Sequence, residues 1–178
     1  MNIRSASVVA AVLGVLLPVV PAAGAAPPPV RSDVSQQDRE YLNRTHQDNL
    51  FEIVTGNLGD RGSCARVREL GPRFAAHHTE LDADLVAVSA QAAVTLYSVP
   101  DPGQLRQIAD LSARSGGDFD TAWLRDQVAA HLRGLAQGER ETRNGWSPEV
   151  KALAARSAPV LWHHLDEVRA AVATCTPG

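Results

Sequence analysis

The stretch "VTLYSVPDPGQLRQIADLSARSGGD", Val94 to Asp118, decides the fold. It separates two long segments of helical periodicity. "YSVPDPG", Tyr97 to Gly103, breaks a helix, because its prolines lack backbone donors and clash with the preceding turn. Gln104 to Ser112 reads as a short helix, and "SGGD", Ser115 to Asp118, is a second break. A loop of a few residues leaves the flanking helices antiparallel. A connection of this length can cross a bundle and leave them parallel, as in ferritin-like folds.

Four long helical segments surround this connection. The first is expected from Ser35 to Gly59, with Ser35 as N-cap and Asp38 completing an approximate capping box. Leu42, Thr45, Asn49, Glu52 and Gly56 share one face at spacings of three and four. "GDRGS", Gly59 to Ser63, reads as a turn, with Ser63 capping the next helix. The second segment, Cys64 to Val94, carries Val67, Leu70, Phe74, His77 or His78, Leu81, Leu85 and Val88 on its stripe. Pro72 inside it predicts a kink or a restart. The third runs from Asp118 to Arg143, with Leu124, Val128, His131 and Leu135 on one face. "NGWSPEV" then makes a turn, with Ser147 as N-cap and Pro148 at the first helical position. The fourth segment ends near Ala173, its stripe including Leu153, Ser157, Leu161, His164 and Val168. No segment alternates with period two, so the expected fold is all-α: a four-helix bundle with a long crossover between helices 2 and 3.

Ahead of the bundle, residues 1–25 read as a cleavable signal peptide. Arg4 precedes the apolar run "ASVVAAVLGVLLPVV", and Ala23-Gly24-Ala25 forms the cleavage signature. Residues 26–34 are a Pro-rich segment expected to be disordered, and the bundle itself spans 35–175. The expected location is therefore secreted or extracytoplasmic, at the cell envelope. No later apolar run is long enough to span a bilayer. After Ala25 the charge is 16 basic minus 20 acidic residues, −4, which argues against a nucleic-acid partner. No protein partner is named by the sequence, and a homo-oligomer stays open.

Cys64 and Cys175 are the only cysteines. In an exported chain an even count favours a disulfide over free thiols or thiolate ligands. With the crossover, both sit at one end of the bundle. Without it they lie on the order of 40 Å apart, whereas a bridge needs Cα atoms within about 7 Å. Disulfide and crossover thus support one another.

"DREYLNRTHQDNLFEIVTGNLG", "VRELGPRFAAHHTELDADL", "FDTAWLRDQVAAHLRGL" and "LAARSAPVLWHHLDEVRAA" resemble, in this order, the DUF4142 family over Ser35 to Val172. The resemblance implies an exported bacterial ferritin-like bundle with no settled activity. The family pattern of a Glu, an Asp-His pair, a His and a Leu-Pro-x-Leu-x-x-His falls here on Glu52, His77-His78, His131 and "APVLWHH", ending at His164. His77 replaces the usual Asp, His163 is an added imidazole, and Pro72 is unusual.

His78 lies 14 residues from Cys64, His131 13 from Asp118, and His164 11 from Cys175. At 1.5 Å per residue each is roughly 16–21 Å from its helix end, so with the crossover the three share a layer. Glu52 is the carboxylate on helix one, somewhat nearer its helix end, a difference the following loop can absorb. Such a set suits one divalent transition metal, zinc first, with iron, copper or nickel as alternatives. Four ligands make a closed site suited to storage or structure; with Glu52 orienting an imidazole instead, one position opens. His77, His163, Glu80 and Glu167 form a second tier. The reversed spacings His77-x-x-Glu80 and His164-x-x-Glu167 do not supply the Glu-x-x-His pairs of a di-iron centre.

The functional expectation is metal handling or stress tolerance at the envelope. Its alternatives are a metal-free structural or interaction module, whose histidines form a hydrogen-bonded network, and a metal-dependent oxidoreductase. No nucleophile elbow, phosphate loop or catalytic triad is present, so no catalytic residue is assigned. His46 is expected at the surface, Trp123 and Trp162 in the core or at its boundary, and Trp146 packed near a turn.

Overall fold

The computed structural model describes residues 34–175. The signal-peptide reading of 1–25 and nearly all of the Pro-rich segment lie outside them. The described residues form five α-helices: α1 (Gln36–Leu58), α2 (Ala65–Gln91), α3 (Pro102–Ser112), α4 (Gly116–Asn144) and α5 (Pro148–Cys175), with a 3₁₀ turn at Gly59–Arg61. There is no strand among them. Each long helix packs on two others, in the cyclic order α1, α2, α5, α4, and α3 lies against α1 and α4.

Local chemistry starts and stops these elements. Ser35 and Asp38 form a reciprocal capping box on α1. Asp101 and Gln104 do the same for α3, with Pro102 at its first position. That cap moves the start of α3 two residues ahead of the expected one, because Asp101 satisfies the amides of Gly103 and Gln104. Helix α2 ends at Gln91 instead of Val94, and Ala93 takes a positive φ of 52°. Ser63 does not cap α2; Cys64 holds that position. The restart expected as one outcome at Pro72 does not occur, and α2 runs through it. Pro72 and Arg68 are both exposed, so the carbonyl that loses its donor faces water and needs no protein partner.

Hydrogen bonds fix the relative directions of the helices. Asp120, in the first turns of α4, accepts from the amides of Ser63 and Cys64 at 3.0 and 2.7 Å, and from the Ser63 hydroxyl. The starts of α2 and α4 are therefore side by side. Cys175, closing α5, is bonded to Cys64, with the Cα atoms 5.7 Å apart. At the other end Asp38 accepts from the amides of Trp146 and Ser147, joining the start of α1 to the α4–α5 turn. Helices α2 and α4 thus run parallel, and the segment holding α3 crosses between their opposite ends.

Backbones come closest between α1 and α2. A Cβ on Gly71 would stand 2.5 Å from the carbonyl oxygen of Gly56, and one on Gly56 2.7 Å from that of Gly71. Glycine at both positions permits this approach.

The apolar interior falls into two clusters. One, at the disulfide end, contains Leu70, Phe74, Phe119, Trp123, Leu124, Leu165 and Val168. The other contains Tyr41, Leu42, Leu85, Val150 and Leu153. Asn49, Glu52, His78, Gln127, His131, Ser157 and His164 are buried as well. Burying such groups is costly unless they are paired, which makes them the part of the molecule to explain. No helix among the described residues is long and apolar enough to cross a membrane.

Two surface expectations are corrected. His46 is buried, because its Nδ1 lies 2.7 Å from the Asp82 carboxylate on α2. Trp146 does not pack; it is 71% exposed, with only its backbone amide tied down. Trp162 is half-exposed, whereas Trp123 is fully buried and donates its indole N–H to the Thr55 carbonyl at 2.8 Å.

Candidate metal centre

His78 on α2, His131 on α4 and His164 on α5 converge. One nitrogen from each lies within 4.8 Å of the others. All three are buried, with 3%, 1% and 0% of their surface exposed. The crossover produces this meeting, since it brings their three helix ends to one side of the molecule and similar counts of residues to one height.

Tautomers follow from the outward contacts. His131 Nδ1 donates to the Gln127 carbonyl at 2.8 Å, because a carbonyl only accepts. Its Nε2 therefore carries a lone pair into the cluster. His78 Nδ1 lies 3.0 Å from Asn49 Oδ1. The Asn49 amide nitrogen points to the Asp82 carboxylate at 3.4 Å, so Oδ1 accepts from His78, whose Nε2 also carries a lone pair inward. These two Nε2 atoms face each other at 3.5 Å with no proton between them. His131 Nε2 is 3.1 Å from His164 Nδ1, and His164 Nε2 is 2.8 Å from His77 Nδ1. Each inward nitrogen has an outward partner that holds its ring.

Electrostatics keep the imidazoles neutral. Burial, reinforced by the neighbouring histidines, holds His78 well below its ordinary pKa. Burial likewise brings His131 down to about 4, against the pull of the Gln127 carbonyl. It brings His164 down to about 2, with His131 and His77 adding to the effect. Neutral imidazole is the form that binds a metal.

The Glu52 carboxylate does not join the three-nitrogen set. It is 2% exposed and lines an interior cavity together with His78 and His131. Neither oxygen accepts a hydrogen bond of ordinary geometry. Burial raises its pKa to about 8, opposed by the nearby Gln127 amide, which donates instead to Thr55. The cavity has about 40 Å³ of space, enough for a few waters. Its remaining walls include Leu81, Leu85, Leu135, Leu153 and Leu161.

Of the second tier, only His77 touches the cluster. Its ring lies nearly parallel to that of His164, at 9° and 5.1 Å between centroids. His163 is exposed and sits 3.5 Å from Glu167, which is also paired with Arg73. Glu80 is exposed. Phe74 covers His164 at 4.1 Å between ring centroids, and Trp123 stacks behind Phe74 at 6.1 Å. The supporting roles of Asp82 and Gln127 carry no sequence signal: one lies outside the apolar stripe of α2, and the other acts on His131 through its backbone.

The chain matches the model of DUF4142, a domain of unknown function, over residues 23–171, and it belongs to that family. Among solved structures it is similar to a DUF305 fragment from Deinococcus radiodurans, with a TM-score of 0.67 and 15% identity. The alignment covers 79% of this chain and 98% of that one. At that identity the likeness concerns the fold. No curated protein matches. The disulfide, with no membrane-spanning helix among the described residues, is consistent with an extracytoplasmic protein.

Proposed function

We propose that this DUF4142 protein binds a single divalent transition-metal ion through His78, His131 and His164, as an exported ferritin-like four-helix bundle that handles metal at the cell envelope. The observation that carries the reading is the pair of inward lone pairs on His78 and His131, 3.5 Å apart with no donor to share. Two facing acceptors repel, and a cation between them removes the repulsion. Two bonds of zinc to nitrogen at a tetrahedral angle set the nitrogens about 3.3 Å apart. Two of the three separations, 3.1 and 3.5 Å, bracket that value, and the third, His78 to His164, lies within 4.8 Å. Zinc fits this neutral, all-nitrogen set first, with iron or copper as alternatives. Glu52, whose oxygens are unpartnered on the cavity side, is the candidate fourth ligand. Bound there, it closes the site and favours storage or structure over turnover. With Glu52 held back, an ion held by His78, His131 and His164 would supply Lewis-acid chemistry at the cavity wall. His77 accepts from His164 in that state and sets its ring, the outward contact that metal-binding imidazoles make. Residues 1–25 serve as the export signal.

A metal-free structural role has its own support. A proton on His77 Nδ1 reaches His164 Nε2 at 2.8 Å, and one on His164 Nδ1 reaches His131 Nε2 at 3.1 Å. That chain satisfies every cluster nitrogen except His78 Nε2. Elemental analysis of untagged protein, with a zinc titration followed by calorimetry, separates the two. One equivalent bound, lost in His131→Ala, supports the metal centre. Less than a tenth of an equivalent, with no thermal stabilisation by zinc, iron or copper, leaves the polar network.

A further inference from the structure

A buried centre needs a way in. The geometry points to the groove between α2 and α5 as the entry site for the ion, with His77 as its innermost imidazole. The inference rests on the metal reading above and concerns how that site is filled. The groove encloses about 500 Å³ and is lined by His77, Glu80, Asp84, Arg156, Pro159 and His163, among others. His77, Glu80 and Asp84 stand at i, i+3 and i+7 and so line one face of α2. His163 on α5 completes a donor set of two imidazoles and two carboxylates, against the single cation Arg156. That chemistry attracts a hydrated divalent ion and replaces its waters a few at a time.

His77 connects this set to the interior. It is half-buried, open to the groove on one side and 2.8 Å from His164 on the other. The path on the α1 side is less suited. On the α1 side, Asp48 lines both the interior cavity and an outer cleft. Its oxygens are taken by Gln104 at 2.6 Å and Gln137 at 3.2 Å. Beyond it the cavity reaches Glu52, His78 and His131 only past walls of leucine, alanine and glycine, and it has about 40 Å³ of space, too little for an ion that keeps its full water shell.

Cobalt(II) uptake, followed by stopped-flow absorption with zinc competition at equilibrium, tests this. The variants are the double Glu80→Gln/His163→Ala and, for the other wall, Asp48→Asn. Both groove positions are exposed, so folding is checked by circular dichroism and expected to be unchanged. The expected result is an association rate at least tenfold lower in the double variant, with equilibrium affinity within threefold of wild type and Asp48→Asn at the wild-type rate. Unchanged uptake in the double variant, or slowing by Asp48→Asn instead, overturns the groove's role while leaving the centre standing. A wild-type chain that takes up neither cobalt nor zinc overturns both.

Discussion

Replacing Glu52 by glutamine should change how stability depends on pH, by an amount the structure sets. The carboxyl is fully buried and its pKa is raised from 4.5 to about 8. A raised folded-state value means that the native protein holds a proton the unfolded chain has released. Stability is then complete below the unfolded value and falls as pH climbs from about 4.5 toward 8. At 1.36 kcal/mol per pK unit, this shift corresponds to at most about 5 kcal/mol across the window. Glu141 and Asp48 slope the same way, but their values of about 7 and about 6 exhaust their effect sooner. The range between pH 7 and 8 therefore belongs mainly to Glu52. Urea unfolding in a chelator, repeated from pH 5 to 9, should show Glu52→Gln gaining on wild type as pH rises and levelling off above 8. Added zinc should flatten the wild-type curve, because an ion bound to the carboxylate favours its charged form. Parallel curves for the two proteins between pH 6 and 9 would refute the reasoning, since the carboxyl would then be hydrated or paired.

The remaining predictions use the same unfolding assay unless stated. The triad slopes oppositely: its lowered values mean stability lost as pH falls below about 6.5, and His131, at about 4, should keep destabilising the chelated protein down to that pH. His131→Ala should cost about 2–4 kcal/mol without metal, since it removes the acceptor of the buried His164 N–H and leaves a void. Gly71→Ala should cost about 1–3 kcal/mol, because the Gly56 carbonyl stands 2.5 Å from the new methyl and is backbone; Gly117→Ala, with nothing within 4 Å, should be neutral or stabilising. Reducing Cys64–Cys175, which are 111 residues apart, should lower stability by about 4–5 kcal/mol in the chain-entropy account, seen as a lower denaturant midpoint on adding reductant.

Much of this architecture is legible in the residues. Periodicity located the four long helices, and the Pro-rich and Gly-rich breaks around Gln104 to Ser112 marked the crossing segment. The coincidence of three histidines needed only residue counts and the crossover. What stayed hidden depended on partners distant in sequence. His46 looked like a surface residue because its own helix face said so, and Asp82, 36 positions away, determines otherwise. A restart at Pro72 was one expected outcome because local rules do not know which side of a helix faces water. Glu52 was readable as buried and inward, but not as standing apart from the imidazoles, since that depends on side-chain reach. His77 was one of two neighbours competing for the interior, and the result is that both matter: His78 points into the layer and His77 backs it from the groove.

The stack of Trp123 on Phe74 on His164 makes the molecule its own optical instrument. Two of its three indoles, Trp146 and Trp162, stand in water, where a soluble quencher silences them. The emission that survives comes from the third, one ring removed from the triad. Any event at His164, whether a proton arriving or a copper ion settling, is then read out as a change in brightness or colour, with no label attached.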